Sequence, residues 1–354
     1  MHSLTVEPVG HHVAVQPGQT VLEACLRAGV WLPYACGHGL CGTCKVEVLD
    51  GEVEHGRASP FALMDFERDE GFALACTATL CSDVTVEADI EEDADAVARP
   101  VRDFVGTVSR LEPLTPEILG IWLGVEGEGV RFQAGQYVNV RVDGVDGPRA
   151  FSLAGPPSLP DAVELHVRLV PGGAATPLLH DRLAIGDRLG FSGPYGRFFV
   201  RRSHARPMLF LAGGSGLSSP KSMILDLLET GCALPITLIH GVRTGQDLYF
   251  DGLFRRLERE HPNFRYIPAL SDPAVEDSTW NGATGLVHEV AERLYGGSFK
   301  GLSAYLCGPP PMIEACIRIL MKGRLFERDI FTEKFVTAAD GAASLAKSPL
   351  FKRV

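Results

Sequence analysis

The residues with the clearest chemistry are cysteines. Of nine, Cys36, Cys41 and Cys44 fall in one glycine-rich loop, and Cys76 or Cys81 can supply a fourth ligand. Thiolates are soft, anionic ligands that hold iron in two oxidation states. The spacing C-x4-C-x2-C with a distant fourth cysteine suits a [2Fe-2S] cluster, whereas zinc loops more often repeat C-x2-C pairs. Gly37, Gly39 and Gly42 let the loop close tightly and aim backbone N–H groups at sulfur, which stabilises charge added on reduction. Cys25, on the apolar face of a helix, is read as core, as are Cys232 and Cys316.

Two further sets of residues suit dinucleotides. Arg149-Ala150-Phe151-Ser152 offers a cation for a pyrophosphate, a flat apolar face for a ring and a hydroxyl donor, the requirements of FAD. His166-Val167-Arg168 leads into Gly172-Gly173-Ala174-Ala175-Thr176, where glycines ahead of a helix start make a nest for phosphate; Arg168 reads equally as facing flavin or solvent. Gly213-Gly214-Ser215-Gly216 ends an apolar strand and precedes a helix with Pro220 in its first turn, a second place for a pyrophosphate. It is not the full Gly-x-Gly-x-x-Gly of a standard dehydrogenase. Cys307-Gly308-Pro309 ends another strand. Arg243 and Asp247 follow the second strand of that region, where an adenosine half would lie, and no basic cluster stands there to neutralise a 2′-phosphate, which favours NADH over NADPH.

Three scaffolds have to position these groups. Residues 1–96 read as an α+β module: strands at 4–8 and 12–15 about a turn at Gly10, a helix at 20–28 with Thr20 as cap and Glu23 completing a capping box, and strands at 44–49 and 84–88. The acidic run 91–95 marks a linker. Residues 100–202 carry short β-rich runs at 118–125, 137–142, 164–169 and 188–191, the pattern of a small antiparallel barrel, with Gly193-Pro194-Tyr195-Gly196 as a turn out of it. Residues 205–330 alternate strands at 208–212, 236–240, 264–268 and 304–307 with helices at 221–229, 253–260, 288–294 and 312–321, the signature of an open parallel α/β sheet. Residues 331–354 read as a C-terminal tail, loose over 340–348.

The net charge of −11 is unevenly placed: residues 1–99 carry 17 acidic against 5 basic side chains, a balance of −12, and residues 100–354 come to +1. An acidic module argues against a nucleic-acid partner and favours docking on a basic protein surface. No stretch approaches the roughly 20 apolar residues that span a bilayer, and the first fifteen lack the order of an export signal. No membrane partner and a cytoplasmic location are expected.

Residues 1–95 resemble a plant-type ferredoxin domain, and the modules after it resemble the reductase components of bacterial aromatic-ring monooxygenases, phenol hydroxylase reductases above all. The likeness is carried by Pro33-Tyr34-Ala35-Cys36-Gly37-His38-Gly39 and Ser59-Pro60-Phe61-Ala62-Leu63-Met64 and continues along the chain. It implies a β-grasp ferredoxin domain with Cys36, Cys41, Cys44 and Cys76 as cluster ligands. It implies an FAD domain whose Arg-x-Tyr-Ser motif has Phe151 in place of tyrosine, losing a hydroxyl, with Ser152 near the reactive ring edge and Thr176 as a capping, phosphate-side residue. It places Cys307, Gly308 and Pro309 beside the nicotinamide, and brings Glu333 and Phe335 back to the flavin. The function implied is a relay from NADH through FAD and [2Fe-2S] to a separate, di-iron oxygenase component acting on phenol or a related aromatic. Reductases of ring-hydroxylating dioxygenases and of other soluble di-iron monooxygenases share the module order.

Overall fold

The computed structural model describes residues 1–90, 93–272 and 280–335. The chain divides into two compact units, Met1–Asp103 and Phe104–Val354.

In the first unit, alternation of apolar and polar residues makes a sheet with one buried face. Strand His2–Glu7 buries Leu4 and Val6, pairs antiparallel with His11–Val15 and runs parallel to Val84–Glu87. Val84–Glu87 pairs antiparallel with Lys45–Asp50, which pairs in turn with Phe72–Leu74. Helix Val21–Ala28 packs Leu22 and Cys25 into the same core. Thr20 caps it, its hydroxyl accepting the Glu23 N–H at 3.2 Å, while the Glu23 carboxylate takes Arg27 at 3.0 Å. The helix stops at Gly29, whose φ of 80° would cost another residue about 1 kcal/mol. A mixed sheet grasping one helix is the expected β-grasp arrangement.

The second unit contains two sheets. Six antiparallel strands follow the order Arg149–Ser152, Tyr137–Val140, Arg188–Tyr195, Arg102–Pro113, Ile118–Val125, Ala162–Arg168. A Leu153–Leu165 bridge joins the two edges and nearly closes a barrel. Strand Arg188–Tyr195 runs through the expected turn at Pro194; Tyr195 stacks on Tyr137 with centroids 5.6 Å apart, and the chain turns at Gly196 instead. Strand Ala162–Arg168 is buried on both faces: Val163, Leu165 and Val167 fill the barrel, and Glu164 and His166 lie on its other side.

The remaining sheet is wholly parallel, in the order Ala283–Thr284, Phe264–Leu270, Ile236–Val242, Met208–Gly213, Ser303–Gly308, Ile330–Lys334. From Met208–Gly213 the chain winds outward one way, then crosses to Ser303–Gly308 on the other side. Strand order therefore reverses between the ends at Gly213 and Gly308, where open α/β sheets bind ligands. Residues 331–334 correct the expected tail: they belong to the edge strand beside Ser303–Gly308. The rest of that tail, 336–354, and the linker residues 91 and 92 lie outside the described residues.

Candidate redox centres

In the first unit, the loop from Cys36 to Cys44 is shaped by glycines at positive φ: 69° at Gly37, 75° at Gly39 and 75° at Gly42. Gly39 is also sterically required, since a Cβ there would lie 2.8 Å from Thr77 Cγ2 and 3.1 Å from the Arg57 carbonyl. With this shape, His38 and Leu40 donate N–H groups to Cys36 Sγ at 3.3 and 3.4 Å, and Gly39 donates to Cys76 Sγ at 3.2 Å.

The four thiols associate two and two. Cys41 hydrogen-bonds with Cys36 and Thr43, which draw it below the usual thiol range against the effect of burial. Cys44 is pulled to about 6 by its hydrogen bond with Cys76, and the Cys76 thiol is pushed up by the same neighbour. Among the described residues no three such side chains surround a single metal ion; two facing pairs with N–H donors trained on sulfur fit a two-iron cluster. Cys81 is exposed, whereas Cys76 is buried, with Cys44 and Cys36 as its thiol neighbours.

In the second unit, one carboxylate gathers the groups at the switch point. Glu333 lies on the edge strand in register with Cys307. Its Oε2 accepts the Ser219 hydroxyl at 2.6 Å and the Ser152 hydroxyl at 3.2 Å, with Cys307 Sγ at 3.6 Å. Burial raises Glu333 to about 6, against the pull of these donors. Burial first, and then the neighbouring Glu333, push the Cys307 thiol well above its ordinary range, so it stays protonated. Phe335 is half-buried just beyond, its N–H bonded to the Gly308 carbonyl at 3.0 Å. Gly216 permits this approach: a Cβ there would lie 2.3 Å from the Cys307 carbonyl oxygen.

Beside this group opens a cleft of about 250 Å³ lined by Gly213, Gly214, Ser215, Pro309, Arg243 and Asp247, six residues expected to hold a nicotinamide dinucleotide. Arg168, left open between flavin and solvent, lines the same cleft. Asp247 caps the turn after Val242, accepting the Thr244 N–H and hydroxyl at 3.1 Å each.

The other expected flavin residues divide. Arg149 Nη1 donates to the carbonyls of Asp146, Gly147 and Pro148 at 3.0–3.1 Å. Ala150 is exposed on the same edge strand, and Phe151 packs against the barrel core. Gly172 turns at φ 71°, Gly173 closes back on Val170, and the Thr176 hydroxyl accepts the Val170 N–H at 2.9 Å, with Ala174 exposed and Ala175 buried at the helix start. Val167 is a barrel-core side chain. The His166 ring is engaged by protein rather than open to a ligand: Nε2 bonds Glu164 at 2.9 Å, and Nδ1 lies 3.4 Å from the Tyr249 hydroxyl.

Sequence reasoning missed Ser219, Glu117, Glu164 and Lys221. Lys221, on the helix Ser218–Glu229, is buried and donates to Glu164 Oε2 at 2.7 Å and to the Ala154 carbonyl at 3.0 Å. Its signal was a lysine in line with apolar positions; Ser219 was legible only as part of the turn it follows.

Family models match in chain order: a 2Fe-2S iron-sulfur cluster binding domain at 4–81, an oxidoreductase FAD-binding domain at 117–200 and an oxidoreductase NAD-binding domain at 210–318. The chain is 56% identical over 353 residues to the phenol 2-monooxygenase reductase component of Pseudomonas sp. (strain CF600), covering 100% of this chain and 99% of that protein. It is 53% identical over 353 residues to the phenol hydroxylase P5 protein of Acinetobacter pittii (strain PHEA-2), with the same coverage. A solved Amycolatopsis cytochrome P450 reductase superposes with a TM-score of 0.85 at 38% identity, over 96% of this chain and 100% of that one. FAD, a [2Fe-2S] cluster and NADH are thus the redox partners of an NADH-dependent oxidoreductase. The chain belongs to the family of phenol 2-monooxygenase reductase components.

Proposed function

We propose that this protein takes hydride from NADH and delivers single electrons to the oxygenase component of a phenol hydroxylase, a di-iron enzyme. The observation that carries the reading is the convergence of Ser152, Ser219 and Cys307 on Glu333 beside the nucleotide cleft. FAD supplies the conversion between a two-electron hydride and one-electron steps, and the [2Fe-2S] cluster carries the single electrons.

The chain's own residues position and polarise. Gly213, Gly214, Ser215 and Gly216 present backbone donors to the dinucleotide pyrophosphate at the helix N-terminus; Arg243, Asp247 and Arg168 frame its cleft. Arg149, with Ala150, Phe151 and the 172–176 turn, would hold the flavin, the Arg149 guanidinium supplying the cation for its pyrophosphate. As hydride leaves NADH the nicotinamide becomes positive, and an ionised Glu333 nearby favours that charge. The protonated Cys307 fills the space between carboxylate and glycine turn without competing as a nucleophile, and Phe335 shields the centre. Cys36, Cys41, Cys44 and Cys76 would hold the cluster, which would supply a one-electron carrier.

The functional modules are 1–96, 100–202 and 205–330, with residues 331–335 completing the last. The acidic first module suits docking on a basic oxygenase face. Leu40, Phe61, Met64 and Phe66 are 54%, 76%, 48% and 56% exposed on the cysteine loop and the 59–66 segment, which is tied to that loop by the Ser59 N–H to Gly39 carbonyl bond; they give the docking face an apolar contact. Among the described residues no helix is long and apolar enough to cross a membrane, and a thiolate cluster with an NADH donor suits the cytoplasm.

Reconstitution with the purified oxygenase component of a phenol hydroxylase tests the reading: NADH, oxygen and phenol should give hydroxylated product, with electron delivery slowing as salt screens the encounter. NADH-driven reduction of the cluster with no product from any aromatic would contradict the assigned acceptor, and a salt-independent rate would contradict charge-steered docking.

A further inference from the structure

We propose that Glu117, a residue of the barrel, makes the nucleotide cleft reject a 2′-phosphate and so selects NADH over NADPH. The inference rests on the reading of that cleft as the NADH site and names the residue that sets its charge.

Glu117 stands between two arginines. Its Oε2 accepts Arg168 Nε at 3.3 Å and Nη2 at 3.1 Å, and its Oε1 accepts Arg243 Nη2 at 3.1 Å. All three line the cleft with Gly213, Gly214, Ser215 and Pro309. The turn presenting the carboxylate is pinned at three points: Thr115 Oγ1 accepts the N–H groups of Glu117 at 3.2 Å and Ile118 at 3.0 Å, and the Glu117 carbonyl accepts the Leu169 N–H at 2.7 Å.

Arg243 directly follows Ile236–Val242, the strand next to the glycine-turn strand. In sheets of this topology the adenosine ribose lies there, and an arginine at that place is the group that accepts a 2′-phosphate. Here its charge is already matched, by Glu117 at 3.1 Å and by Asp247, 3.9 Å from its Nε. A phosphate monoester, with about −1.5 to −2 charges, has to displace a carboxylate and then lie beside it; a ribose hydroxyl has to do neither. The side chains are 40–65% exposed, so the pairs contribute little to folding and act on the charge of the incoming nucleotide.

The test is Glu117→Gln in the FAD-loaded full chain, with kcat/KM for NADPH and NADH measured by reduction of ferricyanide. The NADPH to NADH ratio should rise at least tenfold, chiefly through KM for NADPH, and adenosine 2′,5′-bisphosphate should gain as an inhibitor relative to AMP. Adding Arg243→Ala should abolish both gains. An unchanged ratio in a variant that keeps its flavin overturns the assignment of Glu117, as does a gain that survives loss of Arg243. If neither nucleotide reduces the wild-type flavin, it is the nucleotide site itself that has been misread.

Discussion

Lys221→Met is the perturbation whose cost the structure fixes most closely. The lysine side chain is 4% exposed and its partner Glu164 9%, with Nζ donating to Glu164 Oε2 at 2.7 Å and the other carboxylate oxygen taking His166 at 2.9 Å. Burial alone would raise Glu164, but the His166 hydrogen bond and the Lys221 charge bring it from 4.5 to about 2. Burial acts on the lysine as well and pushes its ammonium below the ordinary range, so the cost of the single substitution is set by the carboxylate it orphans, about 3–5 kcal/mol for breaking a buried pair. Because the folded carboxylate is depressed, the contribution is fully present above pH 4.5 and is lost as pH falls toward 2. Methionine keeps the apolar stem and removes only the charge. With a urea slope of about 3 kcal/mol per molar, the unfolding midpoint at pH 7 should drop by about 1 M. Urea titration followed by flavin release reads the unit that holds FAD. Adding Glu164→Gln removes the orphaned charge and should recover at least half of the loss. A drop below about 1 kcal/mol in the single variant, or simple additivity in the double, would refute the reasoning.

Three shorter predictions accompany it. Glu333, raised to about 6, is protonated below that pH and ionised above it, so the rate of flavin reduction by NADH should rise through pH 6 in the wild type. In Glu333→Gln it should be flat and about 100-fold lower at pH 7, while thermal stability at pH 7 increases because the cost of ionising a buried carboxylate is gone; an inflection near 6 that persists in stopped-flow traces assigns the titration elsewhere. Cys76→Ser should lose the normal cluster and Cys81→Ser should keep it, by iron and sulfide analysis; full iron in the Cys76 variant would exclude that residue as a ligand. Gly39→Ala combines a positive φ with a clash against Thr77 and Arg57 and should destabilise the cluster loop by about 2–4 kcal/mol, seen as faster bleaching of the cluster spectrum in denaturant with ferricyanide reductase activity retained.

What could be read from sequence was what is local in sequence. The cysteine loop carries ligands and glycines within a few residues, and the strand–glycine–helix turn at Met208–Gly213 announces itself by an unbroken apolar run. Strand Arg102–Pro113 was missed because Gly106 and charged Asp103, Arg110 and Glu112 interrupt its alternation; Gly106 is there because a Cβ would lie 2.8 Å from Leu123 Cβ. The polar contacts between barrel and parallel sheet were invisible for a different reason. Glu164 meets Lys221, Glu117 meets Arg243 and Ser152 meets Glu333 across 57, 126 and 181 residues, and no periodicity in either partner encodes such pairings. Residues 331–334 read as a tail because a short edge strand has no partner until Ser303–Gly308 is in place. His166 stands inside a recognisable motif, and what the motif does not reveal is that its ring, on the face of the strand away from the barrel, meets Glu164 at 2.9 Å and Tyr249 at 3.4 Å.

The measurement that tests the relay most directly is an anaerobic titration of the purified protein with NADH, following the flavin by visible absorbance and the cluster by low-temperature electron paramagnetic resonance. The flavin should bleach and a reduced [2Fe-2S] signal should grow with it. A bleached flavin beside a cluster that stays silent with NADH yet gives its signal with dithionite would contradict the transfer of electrons from flavin to cluster.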